Sequence, residues 1–311
     1  MGDAAIRLHG ISKRYGSRDA LKGLTLSVPQ GGFFALLGPN GAGKTTTLRL
    51  VMGLLRADAG TGEVLGVPFG PGFPPVSLKE RIGYVPERGN LYERSTVAEL
   101  LDFCRGTNRR WDRRLVRRYL DLFNLPQRVN VRQMSTGMRA QLALTLAMGG
   151  NPELLILDEP TQGLDPLHRH QYLQVLLADT METGRTVLLS SHDLHQIERL
   201  ADHVGILDQG RLVVSRPLDE LKEQEKRVRV SGTPLGSDLA SVPGVRRVSR
   251  EGGGFLLHAS GDPDRLAAGI QAVPGVTGVQ VVGQSLEEIF LSYVEGPAAG
   301  EPARQGPAEH P

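Results

Sequence analysis

Residues 33–54 constrain this chain more than any other stretch. Phe33-Phe34-Ala35-Leu36-Leu37 is a short apolar run that reads as a buried strand. It leads straight into Gly38-Pro39-Asn40-Gly41-Ala42-Gly43-Lys44-Thr45, which fits G-x-x-x-x-G-K-[ST] throughout. A helix is expected from Lys44 to about Leu54. Strand, glycine-rich turn and helix in that order make a phosphate cradle. The glycines let backbone N–H groups approach phosphate oxygens with no Cβ in the way. Lys44 reaches toward the β- and γ-phosphates as a point charge, and the Thr45 hydroxyl is suited to Mg²⁺. The helix start adds its positive end to the same place.

The rest of the composition sets few limits. A chain of 311 residues allows about two domains. Its net charge of +2 demands neither nucleic acid nor a charged membrane surface. A single cysteine, Cys104, excludes an internal disulfide. Met1–Gly10 lacks the apolar core of a signal peptide, and no run approaches the roughly 20 apolar residues of a membrane helix. Work at a membrane would need another chain to supply the span.

In order along the chain, Ile6–Ile11 and Leu24–Val28 alternate as half-buried strands, with a turn expected at Ser12–Gly16. Together they suggest an antiparallel layer joined to an α/β core. The Tyr15 ring can stack on a base, or be an ordinary surface tyrosine. Gly60–Gly72 reads as turns around a short strand, Gly62–Leu65, and Arg81–Val85 as a strand stopped by Pro86. Thr96-Val97-Ala98-Glu99 is a capping box for a helix through about Phe103. Asp112 can cap a second helix with one apolar face: Leu115, Val116, Tyr119, Leu120, Leu122 and Phe123. Arg113, Arg114, Arg117 and Arg118 line its other side, an anion patch or, more simply, a solvated face. Ser135 can cap a helix running from Met138 to Met148. Leu154–Leu157 and Thr186–Ser191 are apolar runs of the kind covered on both faces, and Val204–Leu207 with Arg211–Val214 reads as a hairpin.

Composition changes near Leu218. Leu218 to about Arg227 reads as a charged helical link. Ser241-Val242-Pro243-Gly244-Val245 then recurs as Ala272-Val273-Pro274-Gly275-Val276, each followed by polar/apolar alternation. Helix, turn and strand twice over suggest a small α+β sandwich of ferredoxin-like type, closed by a capped helix at Ser285–Leu291. Glu295–Pro311 is Gly, Pro, Ala and Glu with little apolar bulk and is expected to be disordered. The domains expected are 1–224, 225–294 and a tail, 295–311.

Lys44, Asp158 and His192 share one property: each follows the C-terminal end of an apolar strand. Open α/β sheets bind ligands along that edge, so strand position alone would gather all three. Asp158 can hold Mg²⁺ through its water shell, Glu159 can orient and deprotonate water, and His192 can touch a γ-phosphate. Without the phosphate loop the same residues would read as turn acids and a core histidine.

With these motifs in this order, residues 5–220 resemble the ATP-binding subunits of ABC transporters. Gly38–Thr45 is similar to Walker A and Leu154–Asp158 to Walker B, with Glu159 in the place of the catalytic base. Gly163-Leu164-Asp165 resembles the D-loop, His192 the switch histidine and Tyr15 the base-stacking aromatic. Met134-Ser135-Thr136-Gly137-Met138 stands where the family has Leu-Ser-Gly-Gly-Gln, keeping Ser135 and Gly137. Glu87 replaces the usual glutamine. Gly83–Arg88 is similar to the branch associated with drug, antibiotic, bacteriocin and sodium export, whose members often carry a small C-terminal domain.

The resemblance implies a P-loop fold of ABC type: an antiparallel β subdomain, a mainly parallel core sheet and a helical subdomain. It implies ATP and Mg²⁺ as ligands. ATP would meet Tyr15, Gly38, Pro39, Asn40, Gly41, Ala42, Gly43, Lys44, Thr45, Thr46, Glu87, Ser135, Gly137 and Asp165. Thr45, Asp158 and Glu87 would hold the metal, and Glu159 and His192 would be catalytic. Two subunits, identical or not, would pair head to tail, each ATP lying between the Walker motifs of one and Ser135–Gly137 of the other. A separate transmembrane permease would dock near Glu87–Thr96 and the helices up to about Leu125. That places the chain in the cytoplasm on the inner face of the membrane, with no nucleic acid partner. The alternative is a soluble ABC ATPase of translation or DNA repair. Against it, this chain has one phosphate loop and no long insertion between the Walker motifs.

Overall fold

A computed structural model describes residues 3–70, 76–87 and 91–294. Two compact units divide the chain, Met1–Ser215 and Arg216–Pro311. Arg88 and the tail 295–311 lie outside the described residues.

The first unit starts with β1 (Ala4–Tyr15), β2 (Arg18–Pro29), β3 (Gly32–Leu37), α1 (Lys44–Val51), β4 (Ala59–Val64), β5 (Val67–Phe69) and α2 (Val76–Lys79). It continues with β6 (Ile82–Val85), α3 (Val97–Thr107), α4 (Arg113–Leu122), α5 (Thr136–Met148) and β7 (Leu154–Asp158). Then come α6 (Pro166–Thr183), β8 (Thr186–Ser190), α7 (Leu194–Leu200), β9 (His203–Asp208) and β10 (Arg211–Pro217), which runs into the second unit.

Among the described residues these strands form two sheets. The antiparallel one has the order β2-β1-β4-β5. The turn expected at Ser12–Gly16 is shorter than that. Lys13, Arg14 and Tyr15 pair with Leu21, Asp19 and Arg18, so β1 continues to Tyr15 and only Gly16 and Ser17 turn. The second sheet runs β10-β9-β3-β8-β7-β6, parallel from β9 to β6. Every residue of β7 and β8 is buried, as expected of parallel strands covered on both faces. Gln209 (φ 46°) and Gly210 (φ 82°) form the two-residue turn between β9 and β10, both left-handed as a tight hairpin requires.

The helical part follows the capping signals closely. Thr96 and Glu99 complete their capping box at the start of α3. Asp112 accepts from the Arg114 and Leu115 N–H groups and starts α4. That helix buries Val116, Tyr119 and Leu120, but Leu122 is 48% exposed. Leu122 lies four residues after Arg118 and so falls on the arginine side. Ser135 caps α5, which begins at Thr136, so Gly137 is inside the helix.

In the second unit, α8 (Leu218–Gln224) is shorter than the expected link. It stops because Glu225 opens β11 (Glu225–Gly232), a strand the charged sequence concealed. Then follow α9 (Gly236–Ala240), β12 (Val245–Glu251), β13 (Gly254–Ser260), α10 (Pro263–Gln271), β14 (Val276–Gly283) and α11 (Leu286–Val294). The sheet order is β12-β13-β11-β14, antiparallel throughout. From β11 to β14 this is the β-α-β-β-α-β pattern of ferredoxin-like folds. Each Val-Pro-Gly-Val turn ends a helix and opens a strand, β12 or β14. Val228, Val230, Leu239, Leu257 and Ile270 fill its core.

Candidate phosphate and hydrolysis site

β3, β8 and β7 lie side by side, and their register aligns Leu36, Ser190 and Asp158 across the sheet. The loop after β3 wraps over that edge. Gly43 sits at φ 113°, and a Cβ there would come within 2.7 Å of Leu21 Cδ2 and 2.8 Å of Ala20 O. Gly38 is equally confined, since its Cβ would meet Leu207 O at 2.4 Å. Only glycine fits either place.

Lys44 opens α1 with its side chain 8% exposed. Its ammonium donates to Gly38 O at 2.7 Å and Pro39 O at 3.4 Å, and Glu159 Oε1 is 3.9 Å away. Burial pulls the Lys44 pKa below the usual lysine range, while Glu159, Asp158 and Glu87 push it back up. A buried cation with carbonyls as its hydrogen-bond acceptors, in a loop whose Gly38 and Gly43 accept no Cβ, suits an anionic phosphate chain. Beside the loop is a cavity of about 500 Å³ lined by Arg18, Lys22, Asn40, Gly41, Asp208 and Gln209.

Asp158 ends β7 and is 1% exposed. Thr45 Oγ1 donates to Asp158 Oδ1 at 3.3 Å, and Ser190 Oγ donates to the same oxygen at 2.6 Å. A hydroxyl and a carboxylate this close suit a small hard cation such as Mg²⁺, which takes few protein ligands and completes its shell with phosphate oxygens and water. Among the described residues no cluster of three His, Cys, Asp or Glu could hold a metal alone.

Glu159 occupies the left-handed region at φ 49°, an uncommon conformation for a non-glycine residue and typical of functional sites. Its N–H donates to Ser190 O at 3.1 Å and to Ser190 Oγ at 3.2 Å. The turn brings Glu159 Oε2 to 2.8 Å from His192 Nδ1, and the His192 N–H donates to that oxygen at 3.2 Å. An ionised carboxylate only accepts, so this bond places the imidazole proton on Nδ1 and leaves Nε2 for another partner.

Lys44, Asp158 and His192 are thus gathered as strand position implied, with Thr45 and Glu159 making the contacts between them. Of the other candidates, Gly38 and Pro39 meet Lys44 through their carbonyls, and the rest lie apart from these contacts. Tyr15 ends β1 with its ring 46% exposed and Lys13 Nζ 5.8 Å from its centroid. Pro39, Ala42 and Thr46 belong to the loop and first turn, and Glu87 is exposed beyond β6. Ser135 Oγ accepts from Met138 N–H of its own helix at 3.1 Å. At Gly137 a Cβ would meet His168 Cγ at 2.4 Å, so packing within the chain already demands glycine. Asp165 caps α6, accepting from Leu167 and His168 N–H, and pairs with His168 Nδ1 at 2.6 Å. The His168 backbone bond is the main cause holding the Asp165 carboxyl below its usual range.

Sequence reasoning missed Ser190. One hydroxyl holds both the last acid of β7 and the turn after it. The available signal was a polar residue closing an apolar parallel strand, as Asp158 does next door.

A phosphate loop, a strand-end aspartate and a carboxylate–imidazole pair on a mainly parallel sheet define a phosphate-loop nucleotide hydrolase. The profile described as ABC transporter matches residues 21–162. The Nod factor export ATP-binding protein I of Burkholderia orbicola is 34% identical over 94% of this chain and 97% of its own. The ABC transporter ATP-binding protein YtrB of Bacillus subtilis is 34% identical over 73% of this chain and 76% of its own. A solved structure described as the ATP-binding subunit of an ABC transporter superposes with TM-score 0.62 at 29% identity, covering 70% of this chain and 92% of that one. A dimeric ATP-binding cassette in a post-hydrolysis state with ADP and Pi shares the fold, at TM-score 0.61 and 22% identity over 68% of this chain and 98% of that one. This chain belongs to the ABC transporter ATP-binding proteins and is an ATP-hydrolysing subunit of that family.

Proposed function

We propose that this subunit binds MgATP at the edge of β3, β8 and β7 and uses its hydrolysis to drive export through a separate membrane permease. The observation carrying this reading is the cluster of Lys44, Thr45, Asp158, Glu159, Ser190 and His192. Lys44 and the loop N–H groups bind the phosphates. Thr45 and Asp158 hold Mg²⁺, with Glu87 within reach of the same charges. When bound, the cation offsets phosphate charge. Glu159 accepts the proton of the attacking water, and His192 is held through Nδ1 beside the γ-phosphate, to which Nε2 donates when both ring nitrogens carry protons. The exposed Tyr15 ring is available to the base.

Ser135 is exposed at the start of the 13-residue α5, a helix N-terminus suited to an anion. It serves the ATP of a second subunit, identical or paralogous, with Gly137 behind it and Asp165 on the neighbouring loop. The ATP-binding domain comprises residues 1–224 and the ferredoxin-like domain 225–294, with residues 216–224 grouped by their contacts with the second unit.

Among the described residues no helix is long and apolar enough to cross a membrane. A groove of about 530 Å³ lined by Glu87, Leu91, Glu93, Arg139, Gln162 and Leu164 is available to a permease segment. Anchored so, the subunit works on the cytoplasmic face. Export follows from likeness to a relative named for it. Arg117 and Arg118 pair with Asp121 and Glu182, which supports a solvated face on α4 over a nucleic acid site.

Glu159→Gln tests the reading. ATP binding should persist, turnover should fall by about 10²–10⁴-fold, and size exclusion with ATP should show a trapped dimer. Tagged variant held with ATP in its native cells should co-purify with an integral membrane protein. Wild-type turnover by the variant would remove Glu159 as the base. Ribosomes, DNA or no partner would favour a soluble ABC ATPase.

A further inference from the structure

We infer that Arg169 is a positioning residue for hydrolysis: it ties the loop after Glu159 to the turn bearing His192 and so holds the imidazole against the carboxylate. The inference rests on the roles given above to Glu159 and His192.

The contact between Glu159 and His192 needs outside support. His192 is 57% exposed and lies between the end of β8 and a seven-residue helix, α7. A helix so short has little stability of its own. Its place comes from the buried Ile197 and from tertiary bonds, several of which meet at the next residue, Asp193. Asp193 caps α7, accepting from Gln196 N–H through Oδ1 at 3.3 Å. Its other oxygen accepts from Arg169 Nη1 at 3.2 Å and from the Gln196 side-chain amide.

Arg169 then reaches back. Its Nη2 donates to Leu164 O at 3.3 Å, in the segment that follows Glu159. A second strut runs parallel to it, with Thr161 Oγ1 donating to Gln196 Oε1 at 3.1 Å. Asp165 caps the helix that carries Arg169, and the Asp165 carbonyl accepts the Arg169 N–H at 3.0 Å. The segments after Glu159 and after His192 are therefore cross-braced just beyond the point where those two side chains meet. If the brace loosens, the imidazole moves from the carboxylate while the phosphate loop, on another strand, is untouched. The guanidinium fork reaches two acceptors on two segments at once. A lysine ammonium is a point charge and cannot reproduce that planar geometry.

The experiment uses the full chain with Arg169→Met, Arg169→Lys, His192→Ala and the Arg169→Met/His192→Ala double variant. Steady-state ATP hydrolysis, binding of a fluorescent ATP analogue and thermal melting are measured for each. Arg169→Met should lower kcat by about tenfold to a hundredfold through misplacement of the pair. Analogue affinity and melting temperature should stay near wild type. Arg169→Lys should fall between the two and serves if the methionine variant folds poorly. In the His192→Ala background Arg169→Met should cost nothing further, because a residue acting through His192 has nothing left to position. An additive loss in that background, or wild-type kcat in both Arg169 variants, overturns the inference. Wild-type kcat in His192→Ala alone refutes the reading of His192 beneath it.

Discussion

Arg185→Met should destabilise the first unit more than any surface charge change. Arg185 immediately precedes β8, the strand that ends in Ser190. Its side chain and that of Asp179 are each 3% exposed, and its Nε donates to Asp179 Oδ2 at 3.0 Å. The same guanidinium donates to Asn151 Oδ1 at 3.2 Å and to Pro152 O. It thereby joins the end of α6 to the loop between α5 and β7. Removing one member of a buried, hydrogen-bonded pair strands the other charge and costs about 3–5 kcal/mol. For a unit of this length each kcal/mol moves the midpoint by about 2–4 °C, so Arg185→Met should melt about 6–20 °C lower. Calorimetry on the full chain can follow this transition. Arg118→Ala is the control: its pair with Glu182 is 46% and 57% exposed, and loss of a surface pair costs about 0–1 kcal/mol. Arg185→Met with Asp179→Leu should recover most of the loss, since no charge is then left buried. A shift below about 2 °C, or a double variant as unstable as the sum of the singles, would refute the argument.

Ser190→Ala should lower kcat by about tenfold or more, since a hydrogen bond to a charged group contributes about 1.5–3 kcal/mol. Ser190→Thr, which keeps the hydroxyl, should lose less, and equal rates for both would remove the Asp158 bond from the mechanism. Acid stability should depend on Glu153, whose pKa is held at about 2 by Arg81 first and then by Arg110. The unfolded chain takes up this proton near pH 4.5 and the folded chain only near pH 2, so the contribution is complete above about pH 4.5 and is lost as pH falls through that window. Denaturation midpoints of wild type and Glu153→Gln should therefore converge as pH falls from about 4.5 toward about 2, from a small gap because solvent screens the pair. A gap that stays constant with pH would exclude the linkage.

Much of the site was legible because its chemistry coincides with strand ends. Lys44, Asp158 and His192 each follow an apolar run, and parallel strands buried on both faces leave such runs unbroken. Capping residues were legible for a similar reason: Thr96, Asp112 and Ser135 act on N–H groups only a few residues away. β11 was not. Glu225-Lys226-Arg227 looks solvated, and the strand is specified by pairing with β13 and β14, both distant in the chain. Leu122 was misplaced because it lies at the edge of the helical stripe, four residues after Arg118, and only packing decides how far burial extends round the helix.

The sequence by itself determined the phosphate-loop motif, the apolar strands around it and the acid and histidine that follow them. These depend on local pattern and on the strand-end rule. Tertiary structure alone decided that Ser190 holds Asp158 and the Glu159 turn, that Glu159 turns left-handed toward His192, that Gly137 yields space to the His168 ring, and that Arg185 is buried. Each depends on strand register or on side chains meeting across dozens of residues, and hydrogen-bond distances of about 3 Å are set by packing and not by composition.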